Sequence, residues 1–112
     1  IDRIDKLPDG TYEIIDYKTG SDKGYDLEHD LQLSLYALAG KDALQLPVSK
    51  VSLLFLECGE KKSTSRTETQ LQACKQAVIE SAQELAVSEF KPTPGYHCGM
   101  CEYRLVCPAA KA

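Results

Sequence analysis

The stretch IDRIDKLPDGTYEIIDYKTG, residues 1–20, reads as two short strands joined by a turn. Pro8, Asp9 and Gly10 carry the turn chemistry: proline presets φ, while aspartate and glycine tolerate the conformations a tight reversal needs. The flanking runs, Ile1–Asp5 and Thr11–Lys18, are rich in β-branched and aromatic residues. Side chains alternate along an extended strand, so Ile14, Asp16 and Lys18 share one face while Ile15 and Tyr17 take the other. An aspartate and a lysine are thus held side by side, opposite a strand carrying Asp2 and Asp5.

Carboxylates converging from adjacent strands make a hard oxygen site suited to Mg²⁺ or Mn²⁺. Such an ion lowers the pKa of a bound water and offsets charge on a phosphoryl oxygen. A neighbouring ammonium can orient or deprotonate that water, or stabilise the transition-state charge. The competing reading is a surface hairpin with an exposed ion pair, which is worth little. Asp-x-Lys alone does not separate the two.

At 112 residues and 12.4 kDa the chain is expected to be a single domain, 1–112. Its opening in mid-strand suggests a truncated one. The net charge of −4 argues against a binder that relies on a basic surface. It does not exclude an enzyme acting on phosphodiesters, because bound cations neutralise ligand carboxylates. No apolar run approaches the roughly 20 residues of a membrane span, and no signal-peptide pattern is seen. No membrane association is expected.

After the polar loop Ser21–Tyr25, an apolar-periodic run predicts a helix from Leu27 or Glu28 to Leu44. Leu31, Leu35 and Leu38 would share its core face, and Gln32 and Tyr36, four residues apart, another. Gly40 is expected to loosen or end this helix. Leu46–Pro47 breaks the pattern, and Val51–Leu56 follows as a strand apolar enough to be covered on both faces. Cys58–Ser65 reads as a polar turn with room for a short strand. Thr67–Phe90 then forms a long amphipathic helix, with Leu71, Cys74, Val78, Ala82 and Leu85 as one apolar stripe. Cys74 is expected to be a small buried hydrophobe there, and Cys58 a structural residue.

Five cysteines are many for this length, and Cys98, Cys101 and Cys107 crowd into an irregular segment, residues 94–108. A Cys-x2-Cys pair with a third cysteine close by signals a metal or cluster site, although three thiolates normally need a fourth ligand. His97 could complete a zinc site, but its adjacency to Cys98 makes simultaneous binding awkward. A disulfide or inert thiols form the alternative.

Asp2 in IDRID, Asp16-x-Lys18 in IIDYKTG, Gln32-x3-Tyr36 in LQLSLYALA and the segment CGMCEYRLVCP together resemble, in content and order, the RecB-like branch of the PD-(D/E)XK nuclease superfamily. More narrowly, the chain is similar to the nuclease domain attached to UvrD/Rep-type helicases and AddAB-type nucleases. The resemblance implies that Asp2 and Asp16 ligate a divalent Mg²⁺ or Mn²⁺, helped by a backbone carbonyl near Tyr17, and that Lys18 serves the attacking water. Gln32 and Tyr36 would line the site, orienting Lys18 and contacting the DNA backbone. Asp5 is left as a supporting group, since strand parity does not choose between it and Asp2. Cys98, Cys101 and Cys107 match three ligands of a [4Fe-4S] cluster whose fourth cysteine, like a helix with a site histidine, lies upstream in relatives.

The implied function is metal-dependent hydrolysis of DNA in repair or recombination, with a helicase motor in cis or a helicase subunit as partner. The implied location is cytoplasmic and nucleoid-associated. A catalytically silent, nuclease-like DNA-binding module is the alternative, and a zinc-knuckle interaction domain on Cys98–Cys107 a third reading. The fold implied is α/β (α+β): a restriction-endonuclease-like core with a small mixed sheet, flanking helices Leu27–Leu44 and Thr67–Glu89, and an irregular cysteine-rich C-terminal segment. A sheet face left uncovered would favour a dimer.

Overall fold

The computed structural model describes residues 1–111, whose contacts divide into two compact units, Ile1–Ile79 and a second starting at Glu80.

In the first unit, the expected hairpin forms from β1 (Arg3–Lys6) and β2 (Tyr12–Lys18), paired antiparallel with Arg3 opposite Ile15 and Ile4 opposite Ile14. Its reversal is closed by Gly10 N–H on Leu7 O at 2.9 Å, and Asp9 Oδ1 accepts from Thr11 N at 2.9 Å. Gly10 has φ of 85°, in the left-handed region where glycine meets no Cβ penalty. β3 (Val48–Phe55) runs parallel to β2, and β4 (Glu60–Thr64) antiparallel to β3, giving the order β1-β2-β3-β4. The parallel pair requires a crossover, which α1 (Leu31–Asp42) supplies. α2 (Glu68–Val87) follows β4. This small mixed four-stranded sheet with two helices is the architecture expected of a restriction-endonuclease-like core.

The core lies on one sheet face, where Ile14, Val51, Leu53 and Phe55 meet Leu33 and Ala37 of α1 and Leu71 of α2. Burying each of the large side chains contributes about 1.5–3 kcal/mol. The helices differ from expectation in extent and face. α1 begins at Leu31 rather than near Leu27, because Asp30 caps it: Asp30 Oδ1 accepts from Leu33 N at 2.8 Å. Its buried residues are Leu33, Ala37 and Gly40, while Leu31 is exposed. Gly40 does not end the helix but lets it approach the sheet. A Cβ there would lie 2.7 Å from Val48 Cγ2 and 2.8 Å from Ile14 Cδ1. Of the α2 stripe, only Leu71 and Cys74 are buried; Val78 and Leu85 are exposed. β3 lies between β2 and β4 and starts earlier than expected, at Val48; it is not covered on both faces throughout, since Leu54 on the non-core face is half-buried.

The opposite sheet face carries a buried charge that the sequence reading did not anticipate. Glu13, 2 % exposed, accepts from Ser52 Oγ at 2.5 Å and from Lys61 Nζ at 3.1 Å, and Ser52 Oγ also meets Ser63 Oγ at 2.7 Å. Burial alone would raise the Glu13 pKa; the Ser52 hydroxyl and the Lys61 ammonium outweigh it and hold the group below its usual range. A carboxyl whose folded pKa lies below its unfolded value stabilises the fold above the unfolded pKa, and that contribution is lost as the pH falls through the folded value. Melting temperature should therefore fall between about pH 5 and pH 3 more steeply in the native protein than in Glu13→Gln. Parallel slopes would show that Glu13 is not held this way.

The second unit takes up the remainder of α2 and then loses regular structure, as its prolines and glycines predicted. Short 3₁₀ turns form at Tyr96–Met100, which contains Cys98, and at Pro108–Lys111, directly after Cys107. Gly95 N–H points to Cys98 Sγ at 3.4 Å, and Arg104 Nη1 donates to Gly99 O at 2.9 Å. Cys98, Cys101 and Cys107 are half-buried free thiols, so the disulfide alternative is not realised. Among the described residues no helix is long and apolar enough to cross a membrane.

Candidate active site

The carboxyl ends of the parallel strands β2 and β3 lie together, with Leu56 N–H donating to Lys18 O at 2.9 Å. Such ends, where a crossover helix begins, are the usual location for sites in open sheets containing parallel strands. Asp16 and Lys18 occupy this end of β2, and extending the hairpin register by one pair sets Asp2 opposite Asp16 on the same face. Asp2 Oδ2 accepts from Tyr17 N at 2.8 Å, which fixes the carboxylate at the strand end. That N–H is the main reason the Asp2 pKa lies below its ordinary value, and the nearby Lys18 ammonium adds to the effect.

Asp16 is 5 % exposed. Its Oδ2 is buried and forms an ion pair with Lys18 Nζ at 2.8 Å, with no hydrogen bond from any other group. The Asp16 carboxylate raises the Lys18 pKa, with Tyr25 and Asp30 reinforcing it, and the ammonium form is favoured. From the helix side, Gln32 Oε1 accepts from Lys18 Nζ at 2.9 Å, and Gln32 Nε2 donates to Tyr36 OH at 3.0 Å. The i,i+4 spacing of Gln32 and Tyr36 makes this chain possible, because such residues are neighbours on one helix face. Tyr36 packs its ring against the core edge and turns its hydroxyl to the amide.

The structure thus brings together Asp2, Asp16, Lys18, Gln32 and Tyr36. Asp5 belongs elsewhere: it lies on the opposite sheet face, paired with Arg3 at 2.7 Å. The register places Asp2, and not Asp5, on the face of Asp16. Two residues important to the surroundings were missed, Glu13 and Arg66. Neither sits in a pattern that singles it out, and each has partners some 30–50 residues away in the chain.

Two adjacent carboxylates, one with a buried oxygen whose polar contact is the Lys18 ammonium, fit a hard divalent cation. Mg²⁺ binds through one or two carboxylates and keeps several waters, so it does not require an all-protein cage. Among the described residues no group of three or more His, Cys, Asp or Glu side chains is arranged to hold a metal ion. The same finding applies to Cys98, Cys101 and Cys107, whose thiols are not gathered into a three-ligand site.

A family model, that of the PD-(D/E)XK nuclease superfamily, matches residues 1–108, spanning both the constellation at the sheet end and the cysteine-rich segment. No curated protein matches the chain.

Proposed function

The chain belongs to the PD-(D/E)XK nuclease superfamily, and from that premise we propose that it hydrolyses DNA phosphodiester bonds with Mg²⁺ or Mn²⁺ held by Asp2 and Asp16. The superfamily implies nuclease activity in general and typically uses these ions. The observation that carries the finer reading is the ordered chain Asp16–Lys18–Gln32–Tyr36, in which a lysine on a strand is aimed by an amide on a helix. A flexible surface lysine would not need such support.

In this reading the bound cation supplies Lewis acidity at the phosphoryl oxygen and an acidified water. The protein's own part is positioning and charge. Asp16 and Asp2 fix two oxygens against the sheet end. Lys18 presents its ammonium beside them, where it orients the water and stabilises the negative charge that develops on the phosphate. Gln32 Oε1 accepts a hydrogen bond from that ammonium and so restricts its rotamer, and Tyr36 restricts Gln32 in turn. The exposed edge of Gln32 is left to contact the DNA backbone.

The order of motifs also supports placement in the RecB-like, helicase-associated branch, acting in repair or recombination with a helicase motor in cis or as a subunit. Cys98, Cys101 and Cys107 would then contribute three ligands of a [4Fe-4S] cluster pinning the cysteine-rich segment. Iron and acid-labile sulfide in protein purified without oxygen would support that assignment, and zinc alone would overturn it. The activity is tested with linear single-stranded DNA: cleavage is expected with Mg²⁺ or Mn²⁺ and none with EDTA. A folded protein that binds DNA but never cleaves it would favour the silent binding module.

A further inference from the structure

Arg66 lies in the link between β4 and α2, half-buried. Its guanidinium reaches back some 30–40 residues. Nη2 donates to Leu27 O at 2.6 Å and Asp30 O at 3.2 Å, and Nε donates to Ser34 Oγ at 2.8 Å. Nη1 donates to Ser65 O at 3.1 Å and Thr64 Oγ1 at 3.4 Å, on its own side of the link. Every acceptor is a carbonyl or hydroxyl oxygen, so the side chain works here through its planar fork of donors.

Three of those acceptors span the last turn of the loop and the first turn of α1. Asp30 is the N-cap, and Ser34 sits one turn in, bonding Asp30 O through its own hydroxyl at 3.1 Å. Thr64 adds a second tie, donating to Glu28 Oε1 at 2.8 Å. The clamped end of α1 is the end that carries Gln32, with Tyr36 one turn further on. Side chains reach about 5–6 Å from a helix axis, so a rotation of about 10° moves their tips by about 1 Å. At 2.9 Å, the Lys18–Gln32 hydrogen bond has little room for such a shift.

We propose that Arg66 is a positioning residue for the site: it locks the start of α1 so that Gln32 holds the Lys18 ammonium at Asp16. The inference rests on the nuclease reading for its catalytic consequence, but its structural content is independent of it. A 1 Å misplacement of a supporting group can cost about 100-fold in rate. A lysine cannot span the same acceptors, so Arg66→Lys should behave as a loss rather than a conservative change.

The test compares Arg66→Met, Arg66→Lys and Ser34→Ala with Lys41→Met, which breaks the ion pair to Glu68 at the other end of α1. The first readout is the Gln32 side-chain amide in ¹⁵N–¹H spectra, which reports its bonds to Lys18 and Tyr36 directly. The second is kcat against KM for Mn²⁺-dependent cleavage of linear single-stranded DNA. Both Arg66 variants should move the Gln32 amide toward free-amide positions and lower kcat about 10- to 100-fold, with KM changed less than about 3-fold. Ser34→Ala keeps the arginine and serves if those variants do not fold; it should move the amide the same way by a smaller amount. Lys41→Met should leave both readouts as in the native protein. A Gln32 amide unmoved in Arg66→Met, or in Ser34→Ala where the former cannot be folded, would overturn the proposal. If the native protein cleaves no DNA, the nuclease reading falls and the amide alone decides this one.

Discussion

Lys18→Ala is expected to lower metal-dependent DNA cleavage by about 10²- to 10⁴-fold, the range typical of losing a positioned acid–base group or a preorganised charge. The loss should fall on kcat, because the ammonium is held within the site by Asp16 and Gln32. Lys18→Arg should not rescue: a guanidinium is longer and planar, and the space between Asp16 and Gln32 is set for a compact head. Lys91→Ala, which removes a solvent-exposed partner of Glu89, is the matched control and should cleave like the native protein. Cleavage equal in Lys18→Ala and in the control would place the chemistry elsewhere in the chain. A loss that follows KM alone would recast Lys18 as a DNA contact.

The parts of this site visible in the sequence are those fixed by local geometry. Alternation along β2 put Asp16 and Lys18 on one face, and a four-residue spacing put Gln32 beside Tyr36. Both are short-range consequences of backbone periodicity. The start and rotation of α1 were not visible, because distant groups settle them. Asp30 outcompetes the earlier residues as cap, and Arg66 ties down Leu27 O from across the fold. Two apolar faces were available on α1, and the sheet selected Leu33, Ala37 and Gly40 because a glycine allows the closest approach to Val48 and Ile14. The expected α2 stripe holds only at its start: Leu71 and Cys74 are buried, while Val78 and Leu85 further along are exposed. Glu13 stayed hidden because its partners, Ser52 and Lys61, lie on strands that only the sheet order brings beside it.

Asp16→Asn separates a catalytic carboxylate from a structural one by moving stability and activity in different directions. As a purely structural partner of Lys18, Asp16 would be missed by the fold, since an ion pair broken at one member leaves the other uncompensated, at about 3–5 kcal/mol where both are buried. Lys18 is 24 % exposed, however, and keeps Gln32 as an acceptor, so its charge remains solvated and bonded after the change. Asparagine is nearly isosteric and removes a buried charge whose Oδ2 takes no hydrogen bond from any group other than Lys18. The metal-free variant should therefore melt within a few degrees of the native protein, or above it. What it should lose is the response to metal: the rise in melting temperature on adding Mn²⁺, and cleavage by about 10²-fold or more. Retained Mn²⁺ stabilisation would remove Asp16 from the ligand set and leave Asp2 without its partner. A marked destabilisation with cleavage retained would make the Asp16–Lys18 contact a structural pair and the hairpin a scaffold.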